Sequence, residues 1–588
     1  MSSQTVPLPD YPRPEFVRRD WMNLNGWWSF AFDADGVGES SGWFTRLPGD
    51  SGRILIPYVH QCPLSGVDDP AQVDYVWYAR AFRIPDSWQG RRTLLHFGAV
   101  DYQADIWVNG TYAGGHRGGF TSFALDITPH IHFGDNQITL RAFDPVSPDI
   151  PSGKQTPTQP EGCLYTRSTG IWQTVWLEAV PEDHMDAPLV HSSLLDKAFT
   201  ANVPISTLQD GLRVRVQLSH SGTHLGTAES VVEGQTAHVQ LAVPQAPAWM
   251  TGDPQLVDMH YSLLARDGSV LDEAWGYTGF RDISISGDTL LLNGRLLIVR
   301  GVLDQGYYPG GLYTPESSEV IWQDIHRTRA LGFNTARFHQ KVFPPLAFYW
   351  ADRLGLLVWA EAPDWGLDLK LPAARENFQR EWQEIIRRDI SHPCIVAWTP
   401  FNERSGEYMS DPTQINYVRS IVELTHQIDP TRPVVSSSGY GHVTQTDIAD
   451  IHEYSHDSGF IQAAYCTPGF GSEEPACSHG NPVFAPGEVY RGQPVIASEI
   501  GGIWWNPDAP EAAQHWGYGD RPRTEEEFLK RYRETIQAFL DSPRLSGFVY
   551  TQLTDVEQET NGLFSLQRRL KFPLETLRQI NQSPSARQ

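Results

Sequence analysis

The stretch that decides the fold is Ile395-Val396-Ala397-Trp398-Thr399-Pro400-Phe401-Asn402-Glu403, an apolar run of strand length that ends in an amide and a carboxylate. A second run, Pro494 to Ser498, is followed directly by Glu499. Strands that are buried on both faces of a parallel sheet read as near-continuous apolar runs. Both runs therefore predict strands of a parallel sheet, each of which delivers one carboxylate to the same edge.

Around these two runs, from residue 282 onward, strand-like runs alternate with stretches of helical periodicity. The predicted strands are Leu297–Val302, Asn334–His339, Leu356–Ala360, Ile395–Pro400, Pro433–Ser436, Ile448–Tyr454, Pro494–Ser498 and Gly547–Leu553. The predicted helices are Glu319–Leu331, Pro345–Leu354, Arg375–Ile390, Gln414–Ile428 and Thr524–Leu540. Eight strands in about 300 residues predict a (β/α)8 TIM barrel. The stretch 455–493 has no strong pattern, and on a barrel we expect it at the active-site mouth.

The first half of the chain shows the two-residue alternation of β-strands and no helical periodicity. Alternating runs before residue 184 include Val76–Phe82, Thr93–Phe97 and Ala104–Val108, and Asn109-Gly110 is a hairpin signal. Two shorter runs, Leu212–Leu218 and Ala237–Val243, follow. We predict a multidomain protein with a β-sandwich over 1–183, an immunoglobulin-like β-sandwich over 184–281 and the barrel over 282–588.

The composition argues against several classes of function. There are 45 Lys and Arg against 70 Asp and Glu, a formal net charge of −25, which repels phosphate backbones and predicts no nucleic-acid partner. No run of about 18 apolar residues is present, so we expect no membrane span. The 5 cysteines are odd in number and have no CxxC spacing, which predicts neither a disulfide framework nor a zinc ribbon. The N-terminus shows no secretion signal, which predicts a cytoplasmic location.

Glu403 and Glu499 follow the fourth and seventh predicted barrel strands, which face one another. Barrel active sites lie at the carboxyl ends of the strands. Two carboxylates about 5–5.5 Å apart suit a retaining glycosidase, in which one is the nucleophile and the other is the acid and then the base. The pair therefore predicts a retaining glycoside hydrolase that acts on an oligosaccharide or glycoside and needs neither a cofactor nor a metal.

Short motifs are spread along the whole chain in a specific order. They are Leu95–Tyr102, Trp107–Gly110, Ser168–Leu177, Leu292–Arg295, Arg300–Val302, Asn402-Glu403 and Ser498-Glu499. In this order and spacing they resemble glycoside hydrolase family 2, the family of β-galactosidases, β-glucuronidases and β-mannosidases. The resemblance implies that the first sandwich is a galactose-binding-like jelly roll and that the barrel is catalytic. It leaves the oligomeric state open, with a homodimer through the β domains, which family members often form, as one alternative.

The resemblance also implies a role for five residues at the barrel rim. Glu403 is expected to be the general acid/base and Glu499 the nucleophile. Asn402 is expected to hydrogen-bond the sugar 2-hydroxyl. Arg337 is expected to hold the nucleophile ionised, because an adjacent cation lowers the pKa of a carboxyl group. Tyr454 is expected to orient the nucleophile.

The other predicted site residues surround the terminal sugar. They are His452, His339, Lys341, Asp304, Gln305, Glu361, Asp364 and Trp365. Thr551 stands where the family has a tryptophan that forms the floor of the sugar site, and Trp504 or Trp505 is expected to supply a substitute. The Asn-x-Lys pair that reads a glucuronate carboxylate in β-glucuronidases is not evident, because the matching region is Thr560-Asn561-Gly562-Leu563.

The sequence is compatible with three hypotheses about function. The first is an exo-glycosidase of β-galactosidase type, with β-galactofuranosidase, α-L-arabinofuranosidase or β-mannosidase as alternatives and β-glucuronidase disfavoured by the missing lysine. The second is a non-catalytic carbohydrate-binding protein, against which the intact pair Glu403 and Glu499 argues. The third is a metal hydrolase, which no HExxH motif or His-x-His cluster supports.

Overall fold

The computed structural model describes residues 6–467, 480–507 and 515–587. It has two antiparallel β-sandwich parts and a parallel barrel, and the predicted multidomain fold is confirmed. The predicted limits, residues 183 and 281, fall in the connections before the strands Leu189–Ser193 and Ile283–Ser286.

The N-terminal part is a sandwich of two sheets with its own apolar core. One sheet has six strands in the order Gly52–Ile56, Gly26–Phe32, Tyr75–Ile84, Gly134–Phe143, Gln103–Val108 and Thr111–Arg117. The other has four, Trp21–Asn23, Val175–Val180, Arg92–Phe97 and Phe123–Asp126, and Val100–Asp101 pairs with Gly170–Ile171. The predicted turn is present, since Asn109 and Gly110 have φ values of 50° and 78° and join two paired strands.

The middle part is formed by one seven-stranded antiparallel sheet that folds around a second core. Its strands, in order, are Leu189–Ser193, Ala198–Pro204, Thr236–Ala242, Thr223–Glu233, Arg213–His220, Val257–Leu264 and Val270–Thr278. Short pairs follow: Trp249–Met250 with Asp253–Pro254, and Ile283–Ser286, Thr289–Leu292 and Arg295–Leu296 before the barrel.

Seven barrel strands form one parallel sheet and are buried almost throughout. Their order is Ile395–Thr399, Leu357–Glu361, Thr335–Phe338, Val299–Asp304, Leu545–Thr551, Val495–Gly501 and Ala449–Glu453. The α-helices of the barrel are Ser318–Ala330, Pro345–Leu354, Pro372–Asp389, Pro412–Ile428, Ser458–Tyr465, Glu525–Leu540 and Leu574–Asn581. Single 3-10 turns lie at Pro63–Ser65, Asp86–Trp88, Thr128–His130 and Gly406–Ser410.

The fifth predicted strand, Pro433–Ser436, does not form a ladder. Isolated parallel bridges join Val434 to Trp398 and Ser438 to Asn402, and so fill the gap in the barrel wall. The reason lies in the backbone donors of this segment. Proline has no N–H to donate, the Val434 N–H donates to the Asp447 carboxylate at 2.8 Å, and the Ser436 N–H donates to Thr446 Oγ1 at 3.1 Å.

The stretch 455–493 also differs from expectation, because it contains the helix Ser458–Tyr465. This helix is too short to show a periodicity, but Asp457 caps it by accepting from the N–H groups of Gly459 and Phe460. Residues 468–479, which include Cys477, lie outside the described residues, and the other cysteines, Cys62, Cys163, Cys394 and Cys466, are free thiols.

A segment of the N-terminal sandwich, residues 152–165, reaches the mouth of the barrel. The Ser152 N–H donates to the Trp365 carbonyl at 3.1 Å. The Gly162 carbonyl accepts from Trp516 Nε1 at 2.6 Å. The mouth is therefore built by two parts of the chain. Within the described ranges, no helix combines the length and the apolar character that a membrane crossing requires.

Candidate active site

Glu499 lies on the strand Val495–Gly501 and is 5% exposed. Its Oε1 accepts from Arg337 Nη1 at 3.1 Å and lies 3.4 Å from His452 Nε2, and its Oε2 accepts from the Tyr454 hydroxyl. Burial by itself raises the pKa of Glu499, but the charges of His452 and Arg337 outweigh burial and hold that pKa below its ordinary value. The carboxylate is therefore ionised at neutral pH.

Glu403 follows the strand Ile395–Thr399, and its side chain is 20% exposed. Its backbone is in the left-handed region, with φ at 56°, and its N–H donates to the Ser438 carbonyl at 2.9 Å. One carboxylate oxygen of Glu403 and one of Glu499 lie within 4.8 Å of each other. This separation is close to the ~5–5.5 Å of retaining glycosidases and shorter than the ~6.5–9.5 Å of inverting ones.

His452 lies between the two carboxylates and is fully buried. Its Nδ1 is 2.8 Å from Glu403 Oε1, and its Nε2 is 3.1 Å from Ser438 Oγ and 3.4 Å from Glu499 Oε1. Burial by itself lowers the pKa of His452, but Glu499 and Glu403 outweigh burial and raise it. Both ring nitrogens of His452 thus face protein oxygens, and the binding of a sugar hydroxyl by His452 stays a prediction.

The two carboxylates and His452 also lie close enough together for one metal ion, although no metal is predicted. The guanidinium of Arg337 already lies against Glu499, 3.1 Å from its Oε1, and His452 lies between the carboxylates. These two groups supply the positive charge that a metal would otherwise bring, so the donor set does not fit a resident cation well.

Arg337 contacts more residues of the site than its own strand supplies, and it is completely buried near the end of the strand Thr335–Phe338. Its donors go to Glu361 Oε2 at 2.8 Å, Asn402 Oδ1 at 2.8 Å, the Ser498 carbonyl at 3.1 Å and Glu499 Oε1 at 3.1 Å. A planar guanidinium with five donors suits this task, because it fixes several acceptors at once.

Asn402 is held so that one of its groups stays available. Its Oδ1 accepts from Arg337, and its backbone N–H donates to Asp364 Oδ1 at 3.1 Å. Among the described residues, the buried Nδ2 has no hydrogen-bond partner. A buried donor without a partner is costly, so this N–H group is poised to donate to a ligand.

Several predicted residues form the wall behind this centre. His339 Nδ1 lies 3.0 Å from Glu361 Oε1, and Asp364 accepts from Arg404 Nη2 at 2.5 Å. Burial raises the pKa of Asp364 to about 6. Trp365 is half-buried and lines a cleft of about 360 Å³ together with Asn402 and Glu403.

Gln340 was missed by the sequence reasoning and joins the members of this wall. Its Nε2 donates to Glu361 Oε1 at 2.9 Å and to Asp364 Oδ1 at 2.7 Å, and its Oε1 accepts from the Trp365 N–H at 3.0 Å. Its position directly after His339, at the carboxyl end of the predicted strand Asn334–His339, is the feature of the sequence that indicates it.

Lys341 and Asp304 correct the prediction, because their side chains are used by the barrel wall. Lys341 Nζ donates to the carbonyls of Gly306 and Tyr313 and lies 4.6 Å from the ring centre of Tyr313. Burial lowers the pKa of Lys341 well below its ordinary value. Asp304 Oδ1 accepts from the Gly306 N–H at 2.9 Å.

Gln305 belongs to a separate network at the same rim. Its Nε2 donates to Gln552 Oε1 at 2.7 Å and to the Tyr165 hydroxyl at 2.9 Å. The Tyr165 hydroxyl in turn donates to Glu559. The side-chain amide N–H groups of Gln305 are therefore committed to protein oxygens, one of which comes from the N-terminal sandwich.

The two loop tryptophans differ in their placement. The Trp505 ring packs 6.0 Å from Phe528 and 5.8 Å from Phe572, in the core beside the barrel. The prediction that Trp505 forms a sugar platform is therefore wrong. The Trp504 ring is half-buried and lies 5.2 Å from the guanidinium of Arg521.

Thr551 ends the strand Leu545–Thr551 beside the nucleophile candidate. Its Oγ1 lies 3.4 Å from the Tyr454 hydroxyl. Tyr518, which the sequence reasoning missed, stacks on Tyr454 with ring centres 3.5 Å apart, and Trp516 packs against Tyr518 at 5.4 Å. The aromatic residues 516 and 518, which no motif indicates, thus pack next to Tyr454, whose hydroxyl donates to Glu499.

Comparisons with known proteins agree with this geometry. Two family models match, "Glycosyl hydrolases family 2, sugar binding domain" over residues 21–150 and "Glycosyl hydrolases family 2, TIM barrel domain" over residues 283–465. The chain is 27% identical over 506 residues to a β-glucuronidase of Felis catus, a match that covers 77% of this chain and 75% of that relative. It is 28% identical over 377 residues to a β-galactosidase of Thermoanaerobacter pseudethanolicus, a match that covers 61% of this chain and 48% of that relative.

The chain spans about half the length of some of the curated bacterial relatives that it matches. Among solved structures, a β-glucuronidase of Bifidobacterium dentium complexed with coumarin-3-O-glucuronide superposes with a TM-score of 0.78 at 19% identity, and the match covers 99% of both chains. A β-galacturonidase of Eisenbergiella tayi superposes with a TM-score of 0.76 at 20% identity, over 97% of this chain and 98% of that one. These likenesses show the same fold.

Proposed function

Because this chain belongs to glycoside hydrolase family 2, we propose that it is a retaining exo-glycosidase that releases a terminal sugar by double displacement. The observation that carries the proposal is the pair of carboxylates within 4.8 Å of each other, one of them buried among an arginine, a histidine and a tyrosine. Glu499 is held in its ionised form by the buried charges of Arg337 and His452, which suits the task of the nucleophile.

In the first step, ionised Glu499 attacks the anomeric carbon while Glu403 donates a proton to the departing oxygen. The bond from the sugar to its leaving group breaks, and a covalent glycosyl-enzyme forms. Asn402 Nδ2 is the donor that we assign to the 2-hydroxyl, because its Oδ1 is occupied by Arg337. This contact strengthens as positive charge develops on the ring, and so favours the transition state over the bound substrate.

In the second step, Glu403 removes a proton from water, the water oxygen bonds to the anomeric carbon, and Glu499 leaves as a carboxylate. Arg337 and His452 then compensate the restored charge from within 3.1–3.4 Å of Glu499 Oε1. Two inversions at one carbon give net retention. His452 Nδ1, at 2.8 Å from Glu403 Oε1, keeps that carboxyl group in place through both steps.

For the terminal sugar, we propose a β-linked uronosyl group as the first candidate and a β-galactosyl group as the second. Relatives named β-glucuronidase, of Felis catus and Bacteroides fragilis, match over 75% and 73% of their own length. A putative β-glucuronidase and a β-galactosidase match over 47% and 48% of theirs. The furanosides and β-mannosides stay predictions. So do the homodimer and the cytoplasmic location, which light scattering and cell fractionation would test.

The experiment is a panel of 4-nitrophenyl glycosides that covers glucuronide, galacturonide, galactopyranoside, glucopyranoside, mannopyranoside and the two furanosides. Nuclear magnetic resonance of the first product formed should show the anomer of the substrate, as retention requires. An inverted product contradicts the mechanism. Binding of a glycoside without any turnover favours the hypothesis of a non-catalytic carbohydrate-binding protein. Loss of turnover on addition of a chelator favours the hypothesis of a metal hydrolase.

A further inference from the structure

Lys154 belongs to the N-terminal sandwich, yet its ammonium group lies at the barrel mouth. Its Nζ is 5.1 Å from the ring centre of Trp365, and Trp365 lines the cleft that also contains Asn402 and Glu403. The residue is 9% exposed. No hydrogen bond or ion pair to Nζ is formed by any of the described residues. The sequence reasoning did not single out this lysine, because no motif or periodicity marks it.

The backbone on both sides of Lys154 is fixed against the barrel. Gly153 has φ at 59°, its N–H donates to the Pro363 carbonyl at 3.2 Å, and a Cβ atom there would lie 2.3 Å from the Gln340 carbonyl oxygen. Only glycine permits this approach. On the other side, the Lys154 carbonyl accepts from the Tyr165 N–H at 2.9 Å. The position of the ammonium group is therefore set by the docking of the two parts of the chain.

The charge of Lys154 is kept although the group is buried. Burial by itself lowers the pKa of Lys154, but Cys163 and the carboxylates of Glu559, Glu499 and Glu403 outweigh burial and raise it. The nearby carboxylates already have other partners, because Glu499 is bound by Arg337 and Tyr454 and Glu403 faces His452. A buried cation with no hydrogen-bond acceptor of its own is costly, and a ligand anion would relieve that cost.

We propose that Lys154 is the residue that binds the carboxylate of a terminal uronosyl group and so determines the specificity of the site. This inference rests on the proposed function. It also explains how a uronoside could be bound by a chain that has no Asn-x-Lys pair in the loop after strand eight, where Lys571 Nζ is bound to Asp555 at 2.6 Å. Asn561 in that loop cannot take over the role, because its amide oxygen accepts from Gln552 at 2.8 Å and its amide nitrogen donates to Glu559 at 2.9 Å.

The test compares matched pairs of substrates that differ only at C6, such as 4-nitrophenyl β-D-glucuronide with the β-D-glucoside and the galacturonide with the galactoside. We expect the unaltered protein to prefer the uronoside in at least one pair. Lys154→Met should lower kcat/KM for that uronoside by about 10- to 150-fold, the range for a hydrogen bond to a charged group, mainly through KM. The neutral partner should change by less than about 3-fold, and Lys154→Arg should retain part of the preference.

Lys530→Met is the matched control, because this lysine is 75% exposed on the helix Glu525–Leu540 and pairs with Glu534 on the surface. It should leave both substrates of a pair within about 2-fold. Thermal unfolding of each variant checks that the fold is kept. An equal loss on both substrates in Lys154→Met overturns the inference. If only neutral glycosides are hydrolysed, the proposed function stands and this inference fails, and if no glycoside is hydrolysed, both fail.

Discussion

Replacement of Tyr454 by phenylalanine removes one hydroxyl from the nucleophile candidate and leaves the ring in place. The hydroxyl donates to Glu499 Oε2, whereas Arg337 and His452 act on Oε1. The ring stacks on Tyr518 with centres 3.5 Å apart, and phenylalanine preserves that packing. The perturbation therefore removes the hydrogen bond to a buried carboxylate, together with the longer contact of 3.4 Å to Thr551 Oγ1.

The size of the effect follows from the state that the hydrogen bond stabilises. A hydrogen bond to a charged group is worth about 1.5–3 kcal/mol, and about 1.4 kcal/mol corresponds to a tenfold change in an ionisation constant. The hydroxyl donates to the ionised form, so its loss raises the pKa of Glu499. We expect the acidic limb of kcat/KM to move upward by about one to two pH units. At pH 7 the loss should be smaller, because Arg337 and His452 still hold Glu499 ionised.

The assay is the pH profile of kcat/KM from pH 3 to 8 for the best aryl glycoside, measured for the unaltered protein and for Tyr454→Phe. Tyr417→Phe is the control. Tyr417 lies on the helix Pro412–Ile428, and the substitution removes a hydroxyl that donates to the Arg375 carbonyl at 2.6 Å. Its acidic limb should not move. An unshifted or lowered limb in Tyr454→Phe, in a protein that unfolds at the same temperature as the unaltered one, would refute the assignment of Tyr454 and Glu499 as a donor and nucleophile pair.

Two further predictions concern the carboxylates themselves. Glu499→Ala should lower turnover by about four or more powers of ten, because no other group divides the reaction into two easier steps, and added azide should restore part of it as an inverted glycosyl azide. Turnover near that of the unaltered protein would rule out Glu499 as the nucleophile. Glu403→Ala should impair alkyl glycosides at least about 100-fold more than dinitrophenyl glycosides, because only a poor leaving group needs the proton. Equal losses for both leaving groups would show that Glu403 is not the acid.

The barrel and the carboxylate pair could be predicted from the sequence because both depend on local signals. Apolar runs of five to seven residues between turn signals are typical of strands that are buried on both faces, and a polar residue directly after such a strand lies at the carboxyl edge. The predicted run Ile395–Pro400 and the observed strand Ile395–Thr399 differ by one residue. The strand predicted over Pro433–Ser436 is absent because the side chains of Asp447 and Thr446 accept hydrogen bonds from its backbone N–H groups. A pattern of apolar residues does not reveal such bonds.

The surroundings of the site could not be predicted, because they depend on which way a side chain turns and on contacts between distant parts of the chain. Lys341 lies three residues after the strand Thr335–Phe338, but its ammonium turns to carbonyl groups and aromatic rings of the wall. Lys154 and Tyr165 are far from the barrel in sequence and reach its mouth only after the sandwich docks. Docking of this kind leaves no periodicity, although the glycine at 153 is a local sign of it.

The remaining prediction concerns Thr551 and the shape of the sugar site. A tryptophan at this position would cover one face of a pyranose, whereas threonine leaves that space open and places Oγ1 at 3.4 Å from the Tyr454 hydroxyl. Trp505 does not refill the space, because its ring is packed against Phe528 and Phe572. We therefore expect simple β-D-galactopyranosides to be poorer substrates than a furanoside or a less usual terminal sugar, such as a uronoside, in the aryl glycoside panel. Efficient hydrolysis of β-D-galactopyranosides, with no activity on furanosides or uronosides, would show that the aromatic residues 516–518 restore an ordinary floor and that the reasoning from Thr551 is wrong.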